Sequence, residues 1–129
     1  MIDIIASFPV FVSDNLDSLK LFYSSVFGFE VAFFQADFYL HLAHPASGTQ
    51  LGFLMPDHPS QPEFLQQLVS QQGYVNSFEV KDASQAYAQA QQQNLPIAMA
   101  LKEEPWGQVH FMVKDPQGFV IDVVEHRAP

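Results

Sequence analysis

The strongest constraint on this chain is an order of elements that occurs twice. Ser7 to Val12 is an apolar, β-favouring run ending at Ser13-Asp14. Asp14 is a helix-capping residue type, and Asp17 adds a carboxylate to the first turn, where a helix N-terminus favours negative charge. Leu16, Leu19, Phe22, Tyr23 and Val26 then fall at helical spacing, and Gly28 supplies the stop. Three alternating apolar segments follow, near 29–35, 38–43 and 49–55, separated by turn chemistry such as HPASG. The order then repeats. YVNSFEV reads as a strand, and Lys81-Asp82 opens a helix with Ala83, Ala86, Tyr87 and Ala90 on its inner face. Asn94 lies near its end, and strands follow near 97–102, 107–114 and 119–125. The last pair turns at Asp115-Pro116-Gln117-Gly118, which suits a type I turn. The step from Ser7 to Asp14 equals the step from Val75 to Asp82.

Between the repeats, Ser60 and Glu63 form a capping-box pattern ahead of a short helix bearing Phe64, Leu65, Leu68 and Val69, with Gly73 able to end it. The expected organisation is a first βαβββ module over 1–55, a helical connector over 56–73 and a second module over 74–129, forming one compact domain. The fold class is α+β, with two βαβββ modules whose mixed sheets curl around a shared cleft.

Composition narrows the function. Nearly half the residues are apolar and thirteen are Phe, which argues against disorder. No apolar run reaches the roughly 20 residues needed to span a bilayer, and the N-terminus lacks the pattern of a signal peptide. The absence of cysteine excludes disulfides, thiolate metal sites and a Cys nucleophile. A soluble cytoplasmic protein is expected. Five basic against fourteen acidic side chains give a net charge of −9, which disfavours nucleic acid and anionic membranes as partners. The same charge attracts cationic small molecules, or serves solubility alone.

The segments VSDNLDSLKLFYSSVFGFEV, SFEVKD and PWGQVHFMVKDPQGFVIDVVEH resemble the vicinal oxygen chelate superfamily of glyoxalases, bleomycin-resistance proteins and extradiol dioxygenases. The likeness covers almost the whole chain. In metal-using members it implies one ligand from the first and one from the last strand of each module. The first-strand ligand, usually His, stands seven residues before the helix-opening Asp. The matching positions are Ser7 and Val75, with Gln50 on the fourth strand and Asp122 on the eighth. A divalent site needs about three protein N or O ligands, and Val75 offers none. The expectation is therefore that no metal or other cofactor is held. This departure is shared with bleomycin-resistance proteins, which hold their drug in a metal-free cleft, and homodimers are common in the family.

Strand alternation sorts the side chains that face the cleft. Ser7, Pro9 and Phe11 are expected to face it in the first strand, with Phe8, Val10 and Val12 under the helix. Gln50, Gly52 and Leu54 follow on the fourth strand, Val75, Ser77 and Glu79 on the fifth, and His110, Met112, Val120, Asp122 and Val124 on the last two. Trp106, the only Trp, is either an aromatic platform for a planar or cationic ligand or a packing residue. Asp122 can pair with a ligand amine or act as a general base, and His110 can be a ligand group or a satisfied strand histidine. His41, His44, His58 and His126 lie in or near turns and the C-terminus and read as exposed.

The expected ligand-binding set is thus Ser7, Phe11, Gln50, Val75, Trp106, His110, Met112 and Asp122, acting on a small cationic or aromatic molecule. The alternative is a lyase, isomerase or dioxygenase of the glyoxalase type, dependent on a divalent metal. A third possibility is a structural module whose cleft is filled by its own Phe side chains.

Overall fold

The computed structural model describes residues 1–128 and divides into two units, Met1–Ser70 and Gln71–Pro129. The first contains β1 (Val10–Val12), α1 (Leu16–Phe27), β2 (Glu30–Gln35), β3 (Tyr39–Ala43) and β4 (Gln50–Leu54). The second contains β5 (Asn76–Glu79), α2 (Ala83–Gln92), β6 (Ile97–Glu104), β7 (Gln108–Lys114) and β8 (Val120–His126). Each unit builds one four-stranded mixed sheet, in the orders β1-β4-β3-β2 and β5-β8-β7-β6. The first strand of each sheet runs parallel to the fourth, and the other pairs are antiparallel. The doubled βαβββ architecture is the one that the sequence repeat implies.

In each unit the helix covers one face of its own sheet. Tyr23 of α1 is fully buried and packs its ring 5.6 Å from that of Phe53, with Leu40, Leu42 and Leu51 sealed beside it. Tyr87 of α2 sits 5.1 Å from Phe111, over Val113, Ile121 and Val123. Burying such side chains contributes about 1.5–3 kcal/mol each. Alternation then sends the odd-numbered or even-numbered partners of these residues to the face without a helix.

Turn chemistry behaves as its residues dictate. Gly28 closes α1 with φ +75°, a conformation that costs a side-chain-bearing residue about 1–2 kcal/mol. Asp115 accepts at one carboxylate oxygen from the backbone N–H groups of Gln117 and Phe119, fixing the β7–β8 turn.

Two local expectations fail. The capping box at Ser60 does not form: the segment contains only a 3-10 turn at Glu63–Leu65, entered from Pro62 with no side-chain cap. Pro62 disfavours helix at Gln61, and the Ser60 hydroxyl is engaged instead with His58 Nδ1 at 2.7 Å. The connector's Phe64 and Leu68 are exposed.

The second failure has larger consequences. Helix α1 is entered from Asn15, not Asp14, whereas α2 is entered from Asp82, whose carboxylate accepts from Gln85 N–H at 3.0 Å. The count in the first module therefore starts one residue later than Asp14 implies, and the strand-to-helix step is the same in both modules. Counted back from the true helix entrances, Phe8, not Ser7, corresponds to Val75. The Asp82→Ala variant should lose about 0.5–2 kcal/mol of stability, whereas Asp14→Ala should stay within about 0.5 kcal/mol. Chemical denaturation of both variants measures the difference.

Candidate functional site

A one-residue shift exchanges the two faces of a strand. Phe11 pairs with Phe53, their rings 6.1 Å apart, so Phe11 lies on the helix-covered side of its sheet. Phe8 and Val10 take the other face. The Phe8 ring meets that of His41 edge-on at 4.6 Å, and Val10 stands beside Gly52. Ser7 precedes β1 and is exposed. The expected orientation of the first strand is thus inverted, because α1 is entered at Asn15, one residue later than the count from Asp14 assumed. Gln50, Gly52 and Leu54 do share the helix-free face, as their alternation requires.

In the second unit the expected orientation holds. Phe111 faces α2, which sends His110 and Met112 to the helix-free face. Across β8 the pairs His110–Val124 and Met112–Asp122 join them there. Val75 lies just before β5 and is exposed. Ser77 pairs with Asp122 across the parallel edge.

The chemistry of this face centres on His110, which is 6% exposed. Its Nδ1 lies 2.8 Å from Asp122 Oδ1 and its Nε2 lies 2.9 Å from Glu104 Oε2. Ionised carboxylates only accept hydrogen bonds, so both bonds form together only when both ring nitrogens carry hydrogen. The arrangement is therefore built for an imidazolium between two carboxylates. Burial by itself lowers the histidine pKa, but the hydrogen bonds to Glu104 and Asp122 and their negative charges outweigh it. The net result lies above the ordinary 6.5. Glu104 is held below its usual 4.5 chiefly by the hydrogen bond from His110, with Lys102, 3.3 Å away, assisting against desolvation. The other Asp122 oxygen is uncommitted: among the described residues no donor reaches Oδ2.

Glu104 was legible only as a charge at a strand end. Counting back through the β6–β7 hairpin reveals its role, since Lys102 pairs with His110 and Glu104 with Gln108. Trp106 sits in the turn of that hairpin, 62% exposed, with Nε1–H donating to Gln108 Oε1 at 3.0 Å. Gln108 continues to His126, which lies 3.4 Å from Glu79, so that carboxylate is a surface partner of His126. Beside the turn is a hollow of about 410 Å³ lined by Glu103, Glu104, Pro105, Gln108, Val109 and Arg127, among others. Arg127 is itself paired with Glu125 and Glu103.

His41 is the other correction. It lies in mid-strand on β3, half-buried, with Nδ1 2.7 Å from the Tyr39 hydroxyl and Nε2 2.7 Å from Gln50 Oε1. The alternation Tyr39-Leu40-His41-Leu42 carried that signal. Spacing toward His44 obscured it.

The fit to a metal ion can be tested on the donors. With Asn15 and Asp82 aligned, Val10 corresponds to Ser77, and their cross-strand partners Gly52 and Asp122 correspond to each other. The four ligand seats implied by the family pattern then hold Phe8, Gly52, Val75 and Asp122. The first unit's pair offers no side-chain nitrogen or oxygen and the second unit's pair offers one carboxylate, so neither unit supplies the roughly three ligands of a divalent centre from these seats. Among the described residues no other group of three or more His, Cys, Asp or Glu is arranged to hold an ion.

The family model for the Glyoxalase/Bleomycin resistance protein/Dioxygenase superfamily matches residues 4–123, and the chain belongs to that superfamily. It is similar in structure to lactoylglutathione lyase from Agrobacterium tumefaciens, with 18% identity, 93% of this chain and 92% of that one covered, and a TM-score of 0.73. A superfamily member from Sphaerobacter thermophilus matches at 22% identity, 95% and 98% coverage and a TM-score of 0.72. The bleomycin resistance determinant encoded on transposon Tn5 matches at 19% identity, 94% and 97% coverage and a TM-score of 0.66. These likenesses concern the fold. No curated protein matches the sequence. Among the described residues no helix is long and apolar enough to cross a membrane.

The His110 cluster has a definite pH signature. Its folded pKa is raised, so its contribution to stability is full below about pH 6.5 and is lost as pH rises through the folded value. Glu104 has the opposite sign: its contribution is present above about 4.5 and lost as pH falls through its folded value. Imidazole NMR should show His110 titrating above 6.5, with melting temperature falling across that same step. In His110→Gln the step should be absent. A midpoint below 6.5 contradicts the imidazolium assignment.

Proposed function

We propose that this protein binds a small cationic or aromatic molecule without a metal ion, through the helix-free face of its second sheet, and that binding itself is its activity. Asp122 carries the reading. It is only 8% exposed, it commits one oxygen to His110, and its other oxygen is left for a donor from outside. A ligand ammonium or ring N–H there gains a charge-assisted hydrogen bond. Met112, Val120 and Val124 on the same face supply an apolar wall, the combination that small-molecule sites use.

Trp106 at the hairpin turn offers an exposed ring to a planar cation, a contact worth about 0.5–2 kcal/mol. The scarcity of donors at the four seats supports action without a metal. The likeness to a bleomycin resistance determinant supports a role in capturing an antibiotic or a comparable toxic molecule. The acting form in this proposal is a cytoplasmic homodimer. The divalent-metal lyase, isomerase or dioxygenase alternative has one observation in its favour, the closeness of Glu104, His110 and Asp122. Both His110 nitrogens are already committed there, which leaves that imidazole no lone pair for an ion.

Two measurements decide between them. Protein purified without chelator should contain no stoichiometric Ni, Zn, Mn or Fe. Calorimetric titration with bleomycin and with proflavine, a planar cation, should show saturable binding that weakens about 10–100-fold in Asp122→Asn, the range expected for a hydrogen bond to a charged group. Stoichiometric metal lost in Asp122→Ala, or equal affinity in wild type and Asp122→Asn, would overturn the proposal.

A further inference from the structure

The helix-free face of the first sheet carries an unassigned polar arrangement of its own, wholly within the first unit and independent of the reading of Asp122. Tyr39, His41 and Gln50 form a hydrogen-bonded series across β3 and β4, with links of 2.7 Å on either side of the imidazole. Gln50 Oε1 can only accept, so His41 Nε2 carries the hydrogen. In the neutral imidazole Nδ1 is then the acceptor, and the Tyr39 hydroxyl donates to it. In that tautomer the hydrogens run one way, from Tyr39 through His41 to Gln50. The Gln50 amide then keeps both N–H donors at one end, and the Tyr39 oxygen keeps its lone pairs as acceptor at the other. Among the described residues no protein group takes either end.

The surroundings favour an aromatic occupant. Phe8 and Phe33 are 44% and 46% exposed. The Phe8 ring stands edge-on to His41 at 4.6 Å, and the Phe33 ring lies 6.3 Å from that of Tyr39. Residue 52 is glycine, and Tyr39 uses the vacancy: a Cβ built there would collide with the phenol hydroxyl and come within 2.9 Å of its ring carbon Cζ. Gly52 thus lets the phenol lie down against the sheet and reach His41. In the corresponding place of the second sheet stands Asp122 and its carboxylate. One sheet has a charged arrangement, the other a neutral one.

We propose that Tyr39, His41 and Gln50 form a binding site for a neutral planar aromatic amide, with its carbonyl accepting from the Gln50 amide, its N–H donating to the Tyr39 oxygen and its ring against Phe8 and Phe33. Charge supports the neutral class. Among the described residues no cationic side chain pairs with the three residues to hold an anion, and the net charge of −9 repels one. No carboxylate belongs to the series to hold a cation.

The test uses quinolin-2(1H)-one as the amide probe and naphthalene as a probe of similar shape with no hydrogen-bonding edge. Binding is followed by NMR at the His41 imidazole nitrogens and the Phe8 and Phe33 ring protons. The expected result is saturable binding of quinolinone that perturbs His41, at least about tenfold tighter than naphthalene, as one or two net hydrogen bonds would give. Gln50→Leu should bring the two probes to similar affinity. Tyr39→Phe, which keeps the ring over Gly52, should lower the preference while leaving naphthalene binding unchanged. Equal affinity for the two probes in the wild type, a preference that survives both substitutions, or no saturable shift at His41 would each overturn the proposal.

Discussion

In a strand every second side chain belongs to the same face, so the phase of the strand decides which residues can do chemistry. In this protein the phase is fixed by what the helices cover. Tyr23 and Tyr87 pin one face of each sheet through Phe53 and Phe111. All remaining side chains are sorted by that choice. His110, Asp122 and Met112 are brought together in one unit, and Tyr39, His41 and Gln50 in the other, because their apolar neighbours are held under a helix. The polar groups have no separate device to orient them. They inherit their positions from the core.

The two modules share a topology but have opposite polar solutions on their open faces. The place filled by Asp122 in the second sheet is Gly52 in the first, and the place filled by His110 is Tyr39, as the cross-strand pairs show. Where the second sheet buries an ion pair, the first lays a phenol into the space left by a missing side chain. A buried carboxylate–imidazolium arrangement requires both partners, since removing one leaves an uncompensated charge. A phenol–imidazole–amide series has no such requirement and tolerates a more open setting. The half-buried state of Tyr39, His41 and Gln50 agrees with that difference.

Much of this was legible in the sequence. The repeated order of elements, the Gly28 stop, the Asp115 turn and the alternation of β7 and β8 follow from local rules that act over a few residues. The expected face of His110, Met112 and Asp122 was correct because the Asp82 cap sets an unambiguous origin for counting. The first module misled because Ser13, Asp14 and Asn15 are three adjacent capping types, and spacing alone does not choose among them. An error of one residue there turned Phe11 outward and Phe8 inward. Partners across a hairpin, Glu104 with His110 or Tyr39 with Gln50 through His41, depend on register, which a linear reading resolves only where the turn length is known. The capping box at Ser60 failed for a different reason: a proline two residues on overrode a favourable pattern.

The phase of β1 is the claim on which the contrast between the two faces rests, and through-space NMR contacts test it most directly. In isotope-labelled protein, nuclear Overhauser cross-peaks should link the Phe8 ring protons to the imidazole protons of His41, and the Phe11 ring to Phe53. Cross-peaks joining Phe8 to Tyr23 or Phe53, with Phe11 near His41, would contradict it. Ser7 would then regain the open face, and with it a first-strand oxygen donor.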